Sequence, residues 1–223
     1  MRALPNNFRE ASRLRESDWR DWRWQAQHAV TDLRALEQAL SLSDAERIGA
    51  SRAAAAGMPI SITPYYLALC DPVDPDCPIR RQCIPRAEEA IAVRGDLRDP
   101  LGEEAHEVAP HLVQRYPDRV LLVATDRCAV YCRFCTRSRL VGDGGGARSL
   151  AALEPAFAWI EAHTEVRDVI ISGGDPCVMS TTRLARLLDR LRAIDHVQYV
   201  RLATRAPVTL PQRITDDLCQ PIR

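Results

Sequence analysis

Apolar residues in the first part of the chain recur at spacings of three and four, which is the period of a helix with one buried face. The stripe consists of Trp19, Trp22, Ala26, Val30, Leu33, Leu36 and Leu40. Ser43 and Glu46 match a capping box that begins a second helix, which ends at Gly57 and Pro59. The pattern predicts helices across residues 17–57, with the tryptophans in the core rather than in a binding site.

Prolines and acidic residues are frequent between residues 58 and 110. This segment is therefore predicted to be irregular, with short helices, and to wrap another surface. It holds Cys70, Cys77 and Cys83, whose spacing fits no common metal motif and which are interpreted as packing residues. Residues 1–117 are therefore predicted to form a helical and irregular region that packs on the domain after it.

After residue 118 the pattern changes to short apolar runs that alternate with helical stripes. The runs at residues 120–124, 166–172 and 197–204 predict three strands, and residues 150–162 and 182–193 predict two helices between them. This order predicts parallel βα units, so the fold class is α/β and residues 118–223 form the first three units of a partial barrel. In such barrels the chemistry lies on the loops that follow the strands.

Three cysteines lie on the loop after the first of these strands. Cys128, Cys132 and Cys135 have C-x3-C-x2-C spacing. Three thiolates can hold three irons of a [4Fe–4S] cluster, whose full ligation takes four cysteines, so one iron stays open to bind a small molecule. The alternatives are a structural zinc site or chance clustering; zinc usually takes four ligands in two pairs, and the sequence has no matching second pair.

The loops after the other two predicted strands also carry functional groups. Ser172, Gly173, Gly174 and Asp175 follow the second strand, and Arg205 follows the third. Glycines let the backbone approach a ligand closely, and Ser172, Asp175 and backbone carbonyls can accept hydrogen bonds from an ammonium group. The three loops are predicted to share one rim.

The composition limits the partners and the compartment. The formal net charge is zero, which gives no indication of nucleic acid or an anionic membrane as a partner. No apolar run reaches transmembrane length, and residues 1–10 lack a signal-peptide core, so a cytoplasmic location without membrane association is expected. Eight cysteines in such a chain favour metal or redox chemistry over disulfides.

Seven motifs together resemble one family. They are residues 19–25 (WRDWRWQ), 62–66 (ITPYY), 99–101 (DPL), 115–119 (RYPDR), 131–137 (YCRFCTR), 172–175 (SGGD) and 210–214 (LPQRI). In this order they resemble lysine 2,3-aminomutase and its relatives in the radical S-adenosylmethionine (SAM) superfamily. The relatives are much longer and their (β/α)6 barrels have six strands, so the chain resembles their amino-terminal half.

The resemblance implies three cofactors: a [4Fe–4S] cluster, SAM and pyridoxal 5'-phosphate (PLP). Cys128, Cys132 and Cys135 would ligate the cluster, and Phe134 would lie by the adenine of SAM. The turn from Ser172 through Gly173 and Gly174 to Asp175 is similar to the family's GGE motif, which holds the amino group of SAM, with aspartate in place of glutamate.

The resemblance also implies the reaction, which is an isomerase reaction that moves an amino group from the α to the β carbon of an amino acid. Arg137 would bind the substrate carboxylate bidentately. Arg115, Tyr116 and Arg119 would lie by PLP, with the arginines near its phosphate. The expected partners are a small amino acid substrate, an electron donor such as flavodoxin or ferredoxin, and a second copy of the chain or a complementary carboxy-terminal half.

One feature departs from the family, whose later half carries the lysine that anchors PLP. All 30 Lys+Arg residues of this chain are arginine. The chain alone is therefore expected to be inactive, and two hypotheses remain. The first is an aminomutase sequence whose remainder is missing, through partial sequencing or because the chain is one half of a split enzyme; the second is a stand-alone, catalytically inactive fragment that binds a cluster, SAM or a partner. The substrate among lysine, glutamate, arginine and protein-bound lysine is left open.

Overall fold

The computed structural model describes residues 15–223 except residues 54, 56, 92 and 143–144. Residues 1–10, which are predicted from the sequence to lack a signal-peptide core, lie outside the described part, and so do residues 143–144 at the centre of the glycine-rich connector at residues 142–146. The chain divides into two compact units. The first contains the chain up to Asp96, Ala129–Ser138 and Pro207–Arg213; the second contains Leu97–Cys128, Arg139–Ala206 and Ile214–Arg223.

The described regular elements are numbered in chain order. The α-helices are α1 (Glu16–Arg20), α2 (Trp22–Gln27), α3 (Leu33–Ala39), α4 (Asp44–Arg52), α5 (Pro64–Leu67), α6 (Leu150–Ala162), α7 (Thr181–Arg192), α8 (Ala206–Thr209) and α9 (Asp216–Cys219). The strands are β1 (Glu107–Ala109), β2 (Leu112–Tyr116), β3 (Arg119–Thr125), β4 (Asp168–Gly173) and β5 (Tyr199–Leu202). Short 3-10 helices cover Arg80–Gln82, Ala87–Ala90, Glu104–His106, Ser138–Leu140, Pro176–Val178, Pro211–Arg213 and Gln220–Ile222.

In the first unit, the predicted apolar stripe forms three short helices, because two aspartates interrupt it. Asp21 accepts a hydrogen bond from Arg23 N (2.9 Å) and caps α2. Asp32 accepts one from Ala35 N (2.9 Å) and caps α3. Side chains that cap a helix satisfy its first backbone donors, so each of them begins a new helix where the apolar period alone would continue the old one.

The capping box at Ser43 is confirmed, and it leads to a buried ion pair. Glu46 accepts a hydrogen bond from Ser43 N (2.8 Å) and two from Arg80, both of 2.8 Å. Arg80 also donates to the carbonyls of Asp71 and Ser41. The side chains of Arg80 and Glu46 are 0% and 1% exposed. The pair connects the irregular segment after α5 to helix α4, because the guanidinium of Arg80 contacts both the carbonyl of Asp71 and the carboxylate of Glu46.

The irregular segment supplies part of the first unit's core, as predicted for a wrapping segment. Cys70 and Cys83 are buried there, whereas Cys77 is half-buried. The buried apolar core of this unit is made of Leu36, Leu40, Leu42, Ala50, Ala53, Ile60, Ile62, Tyr66, Leu67, Cys70, Cys83, Ile84 and Val130. Packing is therefore one role of the two buried cysteines.

The second unit is built on a five-stranded sheet with the order β1-β2-β3-β4-β5. Strands β3, β4 and β5 are parallel, with Val120 beside Val169 and Val169 beside Val200. Helix α6 connects β3 to β4, and α7 connects β4 to β5. The mixed α/β class and the strand–helix–strand–helix–strand order are confirmed, and the bounds of α6 are those that the apolar spacing predicts.

Strands β1 and β2 were not predicted. They pair antiparallel with each other and, through β2, with β3. Their apolar residues do not alternate, since Leu112 and Val113 are both buried, and the intervening turn has His111 at φ 68°. The second unit therefore contains this hairpin together with the parallel strands, since it includes Leu97–Cys128.

One face of the sheet is covered by α6 and α7. The core there includes Leu122, Val169, Ile171, Phe157 and Leu188, each at most 3% exposed. Such interdigitated packing of helices on a parallel sheet is the main source of stability of α/β units.

On the opposite face, Asp168 accepts hydrogen bonds from Arg119 Nε (2.8 Å) and lies 2.9 Å from Arg201 Nη2. Among the described strands, β5 pairs only with β4, and Tyr199 on it is 54% exposed. Strand β5 therefore lies at one edge of the described sheet. Within the described helices, none combines the length and the apolar character needed to cross a membrane.

Candidate cofactor site

The segment that carries Cys132 and Cys135 belongs to the first unit and is fixed there by backbone hydrogen bonds. Tyr131 N donates to Ser61 O (2.9 Å), and Arg133 N donates to Gln82 O (2.9 Å). Cys135 N donates to Cys132 O (3.1 Å), which forms a turn between the two cysteines. The backbone on both sides of Cys132 is thus held before any ligand binds.

Arg133 anchors the same segment through its side chain, which is 5% exposed. Its guanidinium donates to Glu89 (2.9 Å) and to the carbonyls of Met58 (3.0 Å) and Pro59 (3.2 Å). Arg133 was not predicted as a site residue from the sequence. Its position between Cys132 and Phe134 could have identified it from the sequence, because an arginine inside a ligand-bearing loop is well placed to orient that loop.

The predicted cluster ligands and the residues near them are at least partly exposed, as are Cys77 and Cys219. Cys128, Cys132 and Cys135 are half-buried thiols, unlike the buried Cys70, Cys83 and Cys177. Phe134 is 61% exposed, which is unusual for a phenylalanine in a packed segment, and Arg137 is half-buried. Cys128 belongs to the second unit and the other four to the first.

Within the described residues, no group of three or more His, Cys, Asp or Glu side chains is arranged to hold a metal ion. The cluster ligation by Cys128, Cys132 and Cys135 therefore stays a prediction. The donor set fits an iron–sulfur cluster chemically, since three accessible thiols within eight residues of chain are the soft ligands that iron–sulfur clusters take.

Residues on the loops that follow β3, β4 and β5 are hydrogen-bonded to one another within the second unit. Gly174 N donates to Thr125 O (2.7 Å), and Asp175 N donates to Arg127 O (2.8 Å). These two hydrogen bonds join the glycine turn to the residues just before Cys128. The position of the Cys128 backbone is therefore coupled to the conformation of the turn.

The two glycines of the turn are required by this close backbone approach. A Cβ on Gly173, whose φ is 103°, would lie 2.3 Å from Thr125 O, and a Cβ on Gly174 would lie 2.2 Å from Arg127 O. From the sequence, the glycines were predicted to let the backbone approach a ligand closely. Packing of the turn against the β3 loop is already a sufficient reason for both of them.

Asp175 is 5% exposed and its carboxylate is engaged inside the second unit. One oxygen accepts hydrogen bonds from Cys177 N (2.9 Å) and Thr204 Oγ1 (2.7 Å), and the other accepts from Arg205 N (2.8 Å). Asp175 thus joins the β4 loop to the β5 loop. The assignment of Asp175 to the ammonium group of SAM stays a prediction. The three donors within the protein already use much of the hydrogen-bond accepting capacity of its carboxylate.

Asp126 is a further organising residue that the sequence analysis missed. It is 1% exposed, and its carboxylate accepts a hydrogen bond from Gly146 N (2.7 Å) while its carbonyl accepts one from Gly142 N (3.2 Å). It holds the two ends of the glycine-rich connector beside the loop that leads to Cys128. The sequence feature that could have identified Asp126 is an acidic residue directly after an apolar strand, because a carboxylate that is buried there needs hydrogen-bond partners.

The residues predicted for PLP lie on β2 and β3 of the second unit. Arg115 donates to Leu101 O (2.6 Å), and the guanidinium of Arg119 lies 5.7 Å from the ring centre of Tyr116. Tyr116 is 60% exposed and the side chain of Arg119 is 37% exposed. The three side chains therefore share one end of the hairpin and β3, where charge and an aromatic ring are both accessible.

Replacing Gly173 with alanine is expected to lower the free energy of unfolding by about 2 kcal/mol or more, because the new methyl group combines an unfavourable φ with a backbone clash. Urea unfolding of the two chains measures the difference. Gly102→Ala is the control: its φ is 63°, but the nearest atom to the added Cβ is 3.9 Å away, so the cost there is expected to be about 1 kcal/mol. Equal losses in the two variants would show that the contact with Thr125 is not tight.

Comparison of the sequence with known proteins finds relatives that match most of this chain. No family model matches the chain. The chain is 43% identical over 205 residues to the L-lysine 2,3-aminomutase of Bacillus subtilis, which is 92% of this chain and 43% of that protein. It is 42% identical over 203 residues to that of Clostridium subterminale (91% of this chain, 49% of that protein) and 38% identical over 208 residues to the glutamate 2,3-aminomutase of Clostridioides difficile (93% and 49%).

The resemblance inferred from the seven motifs is confirmed by these matches. The second unit is an α/β fold whose mixed sheet contains three parallel strands, and the chain is similar over about nine tenths of its length to proteins named as amino acid 2,3-aminomutases. More particularly, it is homologous to proteins named L-lysine 2,3-aminomutase, and it spans about half the length of the relatives it matches.

Proposed function

We propose that this chain supplies the cluster-binding and SAM-binding portion of a radical SAM, PLP-dependent amino acid 2,3-aminomutase, an isomerase. The observation that carries the proposal is the loop with Cys128, Cys132 and Cys135, which follows β3 in a homologue of the lysine 2,3-aminomutases. Strands β3, β4 and β5 would form the first half of the six-stranded barrel.

The three thiolates would hold three irons of the cluster and leave the fourth iron open to the amino and carboxylate groups of SAM. When bound, the cluster supplies an electron for the cleavage of SAM, and PLP supplies a π system through which an amino group can migrate. The role of the chain is to position these groups. Arg133 and the backbone bonds to Ser61 and Gln82 hold the segment of Cys132 and Cys135.

Phe134 and the glycine turn would bind the two ends of SAM. The exposed ring of Phe134 offers a flat apolar surface to an adenine. Because the carboxylate of Asp175 is occupied by Cys177, Thr204 and Arg205, we assign the SAM ammonium group to backbone carbonyls of the turn, with Asp175 fixing their direction.

Arg137 would bind the substrate carboxylate, and Arg115, Tyr116 and Arg119 would bind PLP. A guanidinium suits a carboxylate or a phosphate because it donates two parallel hydrogen bonds. Arg119 would keep its bond to Asp168, which orients the guanidinium and leaves its other N–H groups for the phosphate. A one-electron donor such as flavodoxin or ferredoxin would reduce the cluster.

The test is the effect of SAM on the chain after anaerobic reconstitution with iron and sulfide. The low-temperature electron paramagnetic resonance spectrum of the reduced cluster is expected to change when SAM is added, because SAM would bind the open iron directly. S-adenosylhomocysteine lacks the sulfonium charge of SAM. The same spectrum is recorded with it, which tests whether that charge is needed for the change. A spectrum that is the same with and without SAM would argue against an open iron in this chain.

A second candidate is favoured by the absence of lysine from this chain. In it, the chain binds the cluster, SAM or a partner without catalysis. A continued reading frame or an adjacent complementary half in the genomic DNA would support the first candidate over this one.

A further inference from the structure

Two buried thiols of the first unit lie in contact. The Sγ atoms of Cys70 and Cys83 are 3.8 Å apart. Cys70 is 7% exposed and Cys83 is 0% exposed, and both pack in the apolar core of this unit. Cys70 follows helix α5 and Cys83 follows the 3-10 helix Arg80–Gln82, so the contact joins the two ends of the segment between them.

We propose that Cys70 and Cys83 form a reversible disulfide that alters the segment carrying Cys132 and Cys135. The disulfide itself is independent of the proposed function, whereas its regulatory meaning rests on that function, because the segment matters only if it ligates the cluster. A small, neutral hydroperoxide is the class of oxidant that fits, since a charged or bulky disulfide reagent has little access to sulfur atoms this deeply buried.

The chemistry balances in two steps. The sulfur of Cys70, which is the more exposed of the two, takes oxygen from hydrogen peroxide, giving a sulfenic acid and one water. The sulfur of Cys83 then attacks the sulfur of Cys70, the S–S bond forms, and the hydroxyl group leaves with the Cys83 proton as a second water. Peroxide is reduced and the two thiols are oxidised; an added dithiol reverses the change.

The order of attack follows from the surroundings of the two thiols. The neighbouring Cys70 thiol and burial together raise the pKa of the Cys83 thiol well above its usual range. Cys83 therefore stays protonated at neutral pH and reacts poorly with peroxide by itself, but its contact with Cys70 gives it the advantage of proximity once Cys70 is oxidised. The oxidation is expected to be slow, over minutes to hours.

The pair is linked to the cluster segment by a short path inside the first unit. Gln82, the residue before Cys83, accepts a hydrogen bond from Arg133 N (2.9 Å), the residue after Cys132. Val130 packs in the same buried core as both cysteines. A disulfide brings its sulfur atoms to about 2 Å, and we expect the turn that bears Gln82 to shift with them and its bond to Arg133 to lengthen.

The experiment treats the purified chain, without added iron, with hydrogen peroxide, removes the peroxide with catalase, unfolds the chain and alkylates its remaining thiols. We expect a tryptic peptide of residues 53–80 to be joined to one of residues 82–86, and to separate again after reduction. Cys77, which lies between the pair in sequence, is the internal control: Cys77→Ser is expected to keep the linkage, and Cys70→Ser and Cys83→Ser are expected to lose it. Complete alkylation of Cys70 and Cys83, or a linkage that requires Cys77, would overturn the disulfide.

A second readout tests the coupling. Hydrogen exchange of the amides in residues 129–135 is expected to become faster after oxidation in the original chain and to stay unchanged in Cys83→Ser. A disulfide without faster exchange would remove the regulatory part of the proposal. Neither readout uses the cluster, SAM or activity, so failure here is distinguishable from failure of the proposed function.

Discussion

Replacing Arg80 with alanine is expected to lower the free energy of unfolding by about 3–5 kcal/mol at neutral pH. The change leaves the Glu46 carboxylate, which is 1% exposed, buried without its cation, and it leaves the carbonyls of Asp71 and Ser41 without their donor. Removing one partner of a buried ion pair costs more than the pair itself contributes, because the remaining charge is uncompensated. Urea unfolding followed by circular dichroism measures the loss.

The effect has a defined pH dependence. Burial acts to raise the pKa of Glu46, but the hydrogen bonds from Arg80 and Ser43 outweigh it and hold the pKa below its usual range. A lowered folded-state pKa contributes stability above the unfolded-state pKa, about 4.3, and that contribution is lost as the pH falls through the folded value. The difference between the original chain and Arg80→Ala is therefore expected to be largest above pH about 4.3 and to shrink in acid.

The matched control is Arg47→Ala. Arg47 forms an ion pair with Glu37, but both side chains are more than a third exposed, so solvent screens the interaction. Exposed pairs typically contribute less than about 1 kcal/mol. If Arg80→Ala proves no more destabilising than Arg47→Ala, the buried pair does not hold helix α4 to the irregular segment.

The second large effect is a complete loss: this polypeptide by itself is expected to have no aminomutase activity. Covalent anchoring of PLP by the protein needs a lysine amine, and none of its 223 residues is lysine. Arginine cannot replace it, because its guanidinium stays protonated. Residues that bind the phosphate of PLP do not supply this covalent bond.

The assay mixes the reconstituted chain with SAM, PLP, a reductant and either lysine or glutamate under argon, and searches for the β-amino acid. The L-lysine 2,3-aminomutase of Bacillus subtilis is the positive control with lysine. Borohydride reduction followed by intact mass measurement gives a second readout, in which no PLP is expected on the chain. Steady turnover, or a covalent PLP adduct, would contradict the prediction.

The sequence predicted the parallel core of the fold well, because that core depends on local apolar spacing. Helices α6 and α7 and strands β3, β4 and β5 all carry an apolar pattern of the right period. The hairpin of β1 and β2 was missed, because its pairing with β3 is a tertiary contact and its buried Leu112 and Val113 do not alternate with polar residues. The long helix predicted from the apolar stripe is divided into shorter helices by capping side chains, and the spacing of apolar residues carries no information on such caps.

The site was predicted less completely, for a related reason. The cysteines and the glycine turn have fixed spacing in sequence, so their positions on the loops after β3 and β4 could be inferred. The hydrogen bonds of Asp175 to Thr204 and Arg205, and those of Arg133 to Met58 and Glu89, join residues about 30 to 75 positions apart. Such partners are set by the folded backbone, and no spacing rule indicates them.

The most direct test of the account is the iron and acid-labile sulfide content of the chain after anaerobic reconstitution. The account predicts one [4Fe–4S] cluster per chain, and loss of that cluster when Cys128, Cys132 or Cys135 is replaced with alanine, because each thiolate holds one iron. Cys219→Ala, which removes a half-buried thiol far along the chain, is expected to keep the full cluster. A cluster that survives the loop replacements, or that requires Cys70, Cys77 or Cys83 instead, would contradict the assignment of the cysteine loop.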